Sequence, residues 1–491
     1  MVRNRVTRML LLVPLAGWLA CGEAGPQGVL NEVAEAMGGR DRILAVQRLV
    51  VEGTGENFNL GQNASPEAEL PRFELTAYRR VTDFERARWH QDQTRTPTFV
   101  TANRNPQRQI TALAGDVAFN VSPAGDATRA PDAVSRDRQR DLLLHPIGFM
   151  LAAFAPGAVL RLEPVDSTHD RVYLDVGGES YAMTVDRSTE LPVSLSTRVS
   201  NANLGDVALE VLYADYVDSD GLQLPMRMTT RVDRFTTADI RLSSATVSGQ
   251  ESTDLEAPES VRNATLPAAA VNVTVEPLAA GVWYLTGGSH HSVLIEFADH
   301  MMVVEAPQSE ARTRAVLAAA RQQRPEKPLR YLVNTHHHFD HSGGIRTAIA
   351  EGLTIVTHAG NESWYREVAS RSFTIAPDSL ARAPRELQIE TVTDRRVYQD
   401  ASRTVEVRAL QGNAHSGTMV VVYLPRERLL IEADVYSPPA VGAANVPPAV
   451  FAPNLVENVT RSSLRAANVV PIHGRVVPWA DVVAAARAAS Q

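Results

Sequence analysis

Thr335-His336-His337-His338-Phe339-Asp340-His341-Ser342-Gly343-Gly344 places four histidines and a carboxylate within six positions. The apolar Tyr331-Leu332-Val333 precedes it, and Ile345-Arg346-Thr347-Ala348-Ile349 follows as the opening of a helix. A strand end, a tight loop and a helix N-terminus bring short side chains to one point. Imidazoles and carboxylates suit Zn²⁺ and similar borderline ions. His336 and His338 are two apart and share one side of an extended segment, whereas His337 points the other way. Asp340 and His341 come in as the loop turns, so the stretch offers two groups to one ion and two to another.

The segments around this stretch alternate. Val282-Trp283-Tyr284-Leu285, Ser292 to Phe297 and Met301 to Glu305 read as strands, Glu310 to Gln322 as a helix and Leu329 to Asn334 as a strand. Gly344 to Ala350 then reads as a helix and Leu353 to Thr357 as a strand. Val405 to Leu410, Thr418 to Leu424 and Leu429 to Ile431 are further strands, and Ala480 to Ala488 is a closing amphipathic helix. Such alternation predicts a layered domain with helices covering sheets. Ten of the thirteen histidines fall in this half. His415 precedes an apolar strand, while Asp434 and His473 each end one, so all three stand where a sandwich presents polar groups at its rim.

In that order, His336, His338, Asp340, His341, His415, Asp434 and His473 resemble the ligand pattern of the metallo-β-lactamase superfamily, from residue 272 to the C-terminus. The resemblance implies an αββα sandwich with two metal ions. His336, His338 and His415 would hold the first, Asp340, His341 and His473 the second, and Asp434 would bridge them. A carboxylate at the bridge is similar to hydroxyacylglutathione hydrolases and lactonases rather than to lactamases with cysteine or serine there. Glu305 departs from the aspartate more usual after the second strand. His290, His291 and Tyr436 border the expected mouth and are the candidates for substrate contact. For His337 its parity assigns a structural role.

The first half has a different pattern. Gly28 to Gly39 reads as a short helix burying Leu30, Val33, Ala34 and Met37, with Gly38-Gly39 as its stop. About ten short alternating segments follow, from Leu49-Val50-Val51 to the hairpin of Val207–Tyr213 with Leu224–Thr229, interrupted by a helical stretch at Arg138–Phe154 that Pro146 breaks. They predict a curved antiparallel sheet around apolar contents, which loosely resembles periplasmic lipoprotein carriers. The expected organisation is a signal peptide at 1–21, a curved β domain at 25–255, a linker at 256–271 and an α+β sandwich domain at 272–491.

Three arginines and an apolar run of about a dozen residues lead to Leu19-Ala20-Cys21, a signal-peptide length too short to span a bilayer. The Cys21 ending resembles a bacterial lipobox, which implies a lipid-anchored periplasmic or outer-membrane protein. Trp18 departs from that pattern and leaves plain secretion as the alternative, and fatty-acid labelling of Cys21 distinguishes the two. One cysteine allows no internal disulfide. A formal charge of −8 argues against nucleic acid as a partner and leaves a small molecule.

Two divalent ions, with Zn²⁺ first and Fe or Mn as alternatives, would share a water and supply hydroxide near neutral pH. The expected activity is an exported metal-dependent hydrolase of an ester, thioester, lactone or amide, with Asp340 as the catalytic carboxylate. Two rivals are an iron-dependent sulfur dioxygenase on the same ligand face, and a lipid or lipoprotein binder whose metal domain is a scaffold.

Overall fold

A computed structural model describes residues 25–247, 255–266, 271–443 and 446–490. The expected signal segment and Cys21 lie outside the described residues. Among those described, no helix is long and apolar enough to cross a membrane.

The first half is one thirteen-stranded sheet. From the edge strand Ala127–Arg129 it runs through Val117–Val121, Gln107–Ala114, Arg88–Pro97 and Arg72–Asp83 to Arg48–Phe58. It continues through Phe235–Val247, Leu222–Val232 and Gly205–Ser219, and on to the far edge at Val159–Pro164. The helix Pro26–Ala36 and the apolar helix Pro146–Ala153 share a core with Leu49, Tyr78, Val172, Leu195 and Leu224. Strands from both halves of the sheet meet that core, so the sheet wraps around the helices.

Two strands of this sheet escaped the sequence reading. Phe235–Val247 pairs with both Arg48–Phe58 and Leu222–Val232, yet only Ile240 and Ala245 along it are buried, so it carries no period of two. Ala127–Arg129 is too short to show a pattern. The helical stretch is two helices, Asp132–Leu143 and Pro146–Ala153, divided at the proline as expected.

His145 caps the second of these, its Nδ1 accepting from the Ile147 N–H at 3.2 Å. Burial holds the imidazole down to about 3 from an ordinary 6.5, with the Arg80 charge adding to the effect. The unfolded chain therefore binds a proton at His145 that the folded chain refuses, and stability is lost as pH falls from 6.5 towards 3. Thermal unfolding between pH 7 and 4 should show this fall, and His145→Asn, which keeps a cap acceptor, should flatten it. An unchanged slope in the variant would count against it.

The expected linker is partly docked. Residues 257–262 carry the short helix Glu259–Arg262, and Ala257 and Val261 bury themselves against Ala112 and Phe119 of the sheet. Segments 248–254 and 267–270 lie outside the described residues.

The second half is α+β in four layers. One sheet holds Thr274–Ala279, Val282–Thr286, Ser292–Glu296, Met301–Val304, Leu329–Val333, Thr354–His358 and Ile389–Val392. The other holds Arg395–Gln399, Thr404–Ala409, Val420–Leu424, Leu429–Glu432, Asn468–Pro471 and Val477–Pro478. Val293, Met302, Val304 and Val333 of the first interleave with Val407, Val422, Ile431 and Val470 of the second. The helices Glu310–Gln323, Ile345–Ala350 and Glu362–Ser370 cover the outer face of one sheet. Ala452–Arg461 and Trp479–Ala489 cover the other. The strands carrying 333 and 304 run parallel, as do those carrying 432 and 471, so the loops after them emerge at one rim.

The halves are packed together. Leu204 and Val207 of the large sheet enter the core beneath Glu362–Ser370, and Arg234 forms a bidentate ion pair with Glu367 at 2.6 and 3.0 Å.

Candidate metal centre

Each candidate ligand follows the end of a strand or opens one. His336 and His338 leave Leu329–Val333, and Asp340 and His341 sit in the one-turn helix Phe339–Ser342. His415 precedes Val420–Leu424, Asp434 follows Leu429–Glu432, and His473 follows Asn468–Pro471. The structure gathers these into two groups. His336, His338, His415 and Asp434 form one, and His290, Asp340, His341 and His473 form the other, with ligand atoms within 4.8 Å of one another in each.

Asp434 joins the groups. Its Oδ2 lies 3.0 Å from His415 Nε2, 3.0 Å from His341 Nε2 and 3.5 Å from His336 Nε2, while Oδ1 lies 2.8 Å from His473 Nε2. Burial opposes its charge, but the field of His341 and the close approach of the surrounding imidazoles hold its acidity well below the ordinary carboxylate range.

The donor atoms fit cations. His336 Nε2, His338 Nδ1 and His415 Nε2 are buried without a hydrogen-bond partner. In two of them the lone pair is free because the other ring nitrogen is engaged: His336 Nδ1 with Thr335 Oγ1 at 3.0 Å, His338 Nε2 with the Asn63 carbonyl at 2.9 Å. In the second group His341 Nδ1 faces Glu305 Oε2 at 3.2 Å and His473 Nδ1 donates to the Ser289 carbonyl at 3.1 Å. Their Nε2 atoms then face each other at 3.2 Å. Two lone pairs so placed repel unless a cation or proton lies between them. Three unpaired imidazole nitrogens in one buried cluster would likewise be costly without an ion.

Electrostatics separates the histidines. Burial brings His336 down to about 3 and His338 well below its ordinary value, which keeps both neutral as ligands must be. Burial would lower His341 as well, yet Asp434 and Glu305 outweigh it and raise the group well above the ordinary range. For Asp340, burial is outweighed by the hydrogen bond from His290 and the field of His341, and the carboxyl is driven far below its usual value.

Two carboxylates of the site stand in unusual backbone. Glu305 has φ 82° and Asp434 φ 60°, left-handed conformations that cost a non-glycine residue about 1–3 kcal/mol and cluster at working sites. Glu432, fully buried and pushed up to about 8 by burial, accepts from the Val435 and Tyr436 N–H groups and so fixes the loop that presents Asp434.

His337 is buried but belongs to neither group, with Nδ1 3.4 Å from Thr418 Oγ1. His291 lies outside both as well, held by its N–H to the Ile472 carbonyl and edge-on against Tyr284. Tyr436 lines the cavity that His415 and Asp434 open into. His290, which the sequence offered only as a substrate contact, enters the second group, with Nε2 3.1 Å from Asp340 Oδ2 and its ring 4.0 Å from that of His473. Its place in Gly-Ser-His-His-Ser before a buried strand was the available signal. Gln62 of the first domain was not signalled: its amide donates to Asp340 Oδ1 at 2.7 Å across 278 residues of sequence.

Residues 285–470 match the profile of the Metallo-beta-lactamase superfamily. Among solved structures, a metallo-beta-lactamase from Pontibacter korlensis aligns over 45% of this chain and 100% of its own, at 17% identity and TM-score 0.34. One from Hirschia baltica aligns over 44% and 96%, at 19% identity and TM-score 0.32. The DIM-1 metallo-beta-lactamase aligns over 44% and 97%, at 17% identity and TM-score 0.33. No curated protein matches the chain.

Proposed function

With a C-terminal domain of the metallo-β-lactamase superfamily as premise, we propose that this protein is a dinuclear metal-dependent hydrolase. Its substrate is an ester, thioester, lactone or amide carrying an uncharged, apolar group. The observation that carries this is the pair of ligand groups joined by Asp434, of which His415 and Asp434 itself open onto a cavity. Two divalent ions held there would supply hydroxide at neutral pH and polarise the scissile carbonyl. The chain's own residues do the rest. His336, His338 and His415 offer one set of lone pairs, and His341, His473 and Asp340 the other, with His290 beside Asp340. The Asp340 carboxylate, kept ionised, would hold that hydroxide in line as well as offer an oxygen to an ion.

The cavity supports the substrate class. It has a volume of about 800 Å³, with Val435, Tyr436, Val450 and Phe451 on its walls beside His415 and Asp434. Among its described lining residues there is no Lys or Arg. Away from the ions, a carboxylate buried there would meet no cationic side chain, and an unpaired buried charge is costly. Thr101 and Ala102 reach the same cavity from the first domain, so both halves shape it.

Elemental analysis with a substrate panel tests the reading. The protein should carry two ions per chain, Zn²⁺ or else Fe or Mn, and hydrolyse neutral apolar esters or lactones at least about tenfold faster than carboxylated analogues. Chelation should abolish the activity. A second reading, lipid binding by the wrapped sheet, draws on a separate cavity of about 390 Å³ whose lining mixes Leu49, Val211 and Ile240 with Arg80, Arg95 and Asp141. Fully loaded protein that hydrolyses nothing on the panel and carries co-purified lipid would replace the first reading with the second.

A further inference from the structure

Four consecutive residues of the first domain touch the two loops that carry His338, Asp340 and His415 in the second. They lie in the loop between the strands Arg48–Phe58 and Arg72–Asp83. The Gly61 carbonyl accepts from the Phe339 N–H at 3.1 Å. The Gln62 amide donates to Asp340 Oδ1 at 2.7 Å. The Asn63 carbonyl takes His338 Nε2 at 2.9 Å, and the Ala64 carbonyl accepts from the Gly417 N–H, two residues past His415, at 2.7 Å.

The loop is built to reach this place. Glycines 53 and 55 mark register shifts on both flanks of the strand that leads into it, and such bulges bend a strand. Gly61, at φ 77°, packs so closely that a Cβ there would fall 2.3 Å from the Phe339 ring. Asn63 is buried, and its Nδ2 ties the loop to itself through the carbonyls of Ser65, Pro66 and Ala68. A loop merely covering a rim needs neither the closure nor the residue-by-residue register.

We propose that residues 61–64 complete the outer shell of the metal centre from the other domain, with Gln62 as the positioning residue for Asp340 and the Asn63 carbonyl as that for His338. Asp340 has two oxygens and two kinds of neighbour. By holding Oδ1, Gln62 turns Oδ2 towards His290 and His341. The Asn63 carbonyl, by accepting from Nε2, fixes the His338 tautomer that leaves Nδ1 as a lone pair. A sandwich domain on its own is thus short of one support in each ligand group. The inference rests on the proposed dinuclear site.

Co²⁺ titration of the metal-free full chain, followed by visible absorption and elemental analysis, tests it without recourse to activity. Wild type should bind two equivalents. In Gln62→Leu the weaker equivalent should lose about 10- to 100-fold in affinity, with the other unchanged and the metal-free melting temperature as in wild type. Gln62→Ser should behave likewise and serves where the leucine variant does not fold. Both equivalents bound as tightly as in wild type would overturn the proposal, and so would an equal loss at both, which would mark Gln62 as only structural. A wild type that takes up no ion would overturn the dinuclear reading itself, whatever Gln62 does.

Discussion

Asp340→Asn is expected to lower kcat for a neutral reporter ester by about 10²-fold or more, the cost of a reacting group held out of line. The surroundings leave the substituted amide no good orientation. Oδ1 accepts from Gln62 and Oδ2 faces His290 and His341. An asparagine that keeps its oxygen towards Gln62 turns an NH₂ towards the imidazoles and the ions they would hold, where a lone pair is required. The reverse orientation sets NH₂ against the Gln62 NH₂. Either way one contact is lost along with the negative charge, and a neutral amide is a weaker partner for a cation than a carboxylate. KM should move little, since Asp340 is not among the residues lining the apolar cavity. Steady-state kinetics beside elemental analysis separates loss of chemistry from loss of metal. Undiminished turnover would remove Asp340 from the mechanism.

The ligand stretch was legible because its chemistry is local. Parity alone separated His337 from His336 and His338, and the order of His415, Asp434 and His473 at strand ends located the rest of the rim. What escaped was of two kinds. Phe235–Val247 forms the middle of the large sheet with two buried side chains, so hydrophobic period, the main signal for a strand, is nearly absent from it. Gln62 and Asn63 act through an amide and a backbone carbonyl on partners some 280 residues away. No short-range pattern encodes such a contact, because only the packing of the finished domains creates it. His290 lies between the two kinds: its residue type was noticed, but its group depends on how the loop after Val282–Thr286 folds back towards His473.

Glu305 departs in sequence from the shorter aspartate of the resembled family, and the structure shows what the longer side chain does. With no exposure at all, its Oε1 accepts from Asn334 Nδ2 at 2.5 Å and from the Thr335 N–H at 3.3 Å. Its Oε2 takes the Thr335 hydroxyl at 2.6 Å and His341 Nδ1 at 3.2 Å. Asn334 continues the network to the His341 carbonyl at 2.8 Å and to the Tyr365 hydroxyl. Glu305→Ala would strip all four donors of their acceptor in a site closed to water, and breaking such a buried charged pair costs about 3–5 kcal/mol. For a domain of this size the melting temperature of the metal-free protein should fall by on the order of 10 °C. Affinity at the His341 group should fall as well, because nothing then holds Nε2 as the free nitrogen. Glu305→Gln is the sharper case. It keeps the volume but presents an NH₂ to a pocket made almost wholly of donors, so it should lie much nearer alanine than wild type. Glu305→Asp keeps the charge with a shorter reach and should lose less than either. Calorimetry of the three variants gives the order, and a glutamine variant as stable as wild type would show that volume, not the carboxylate, holds the network together.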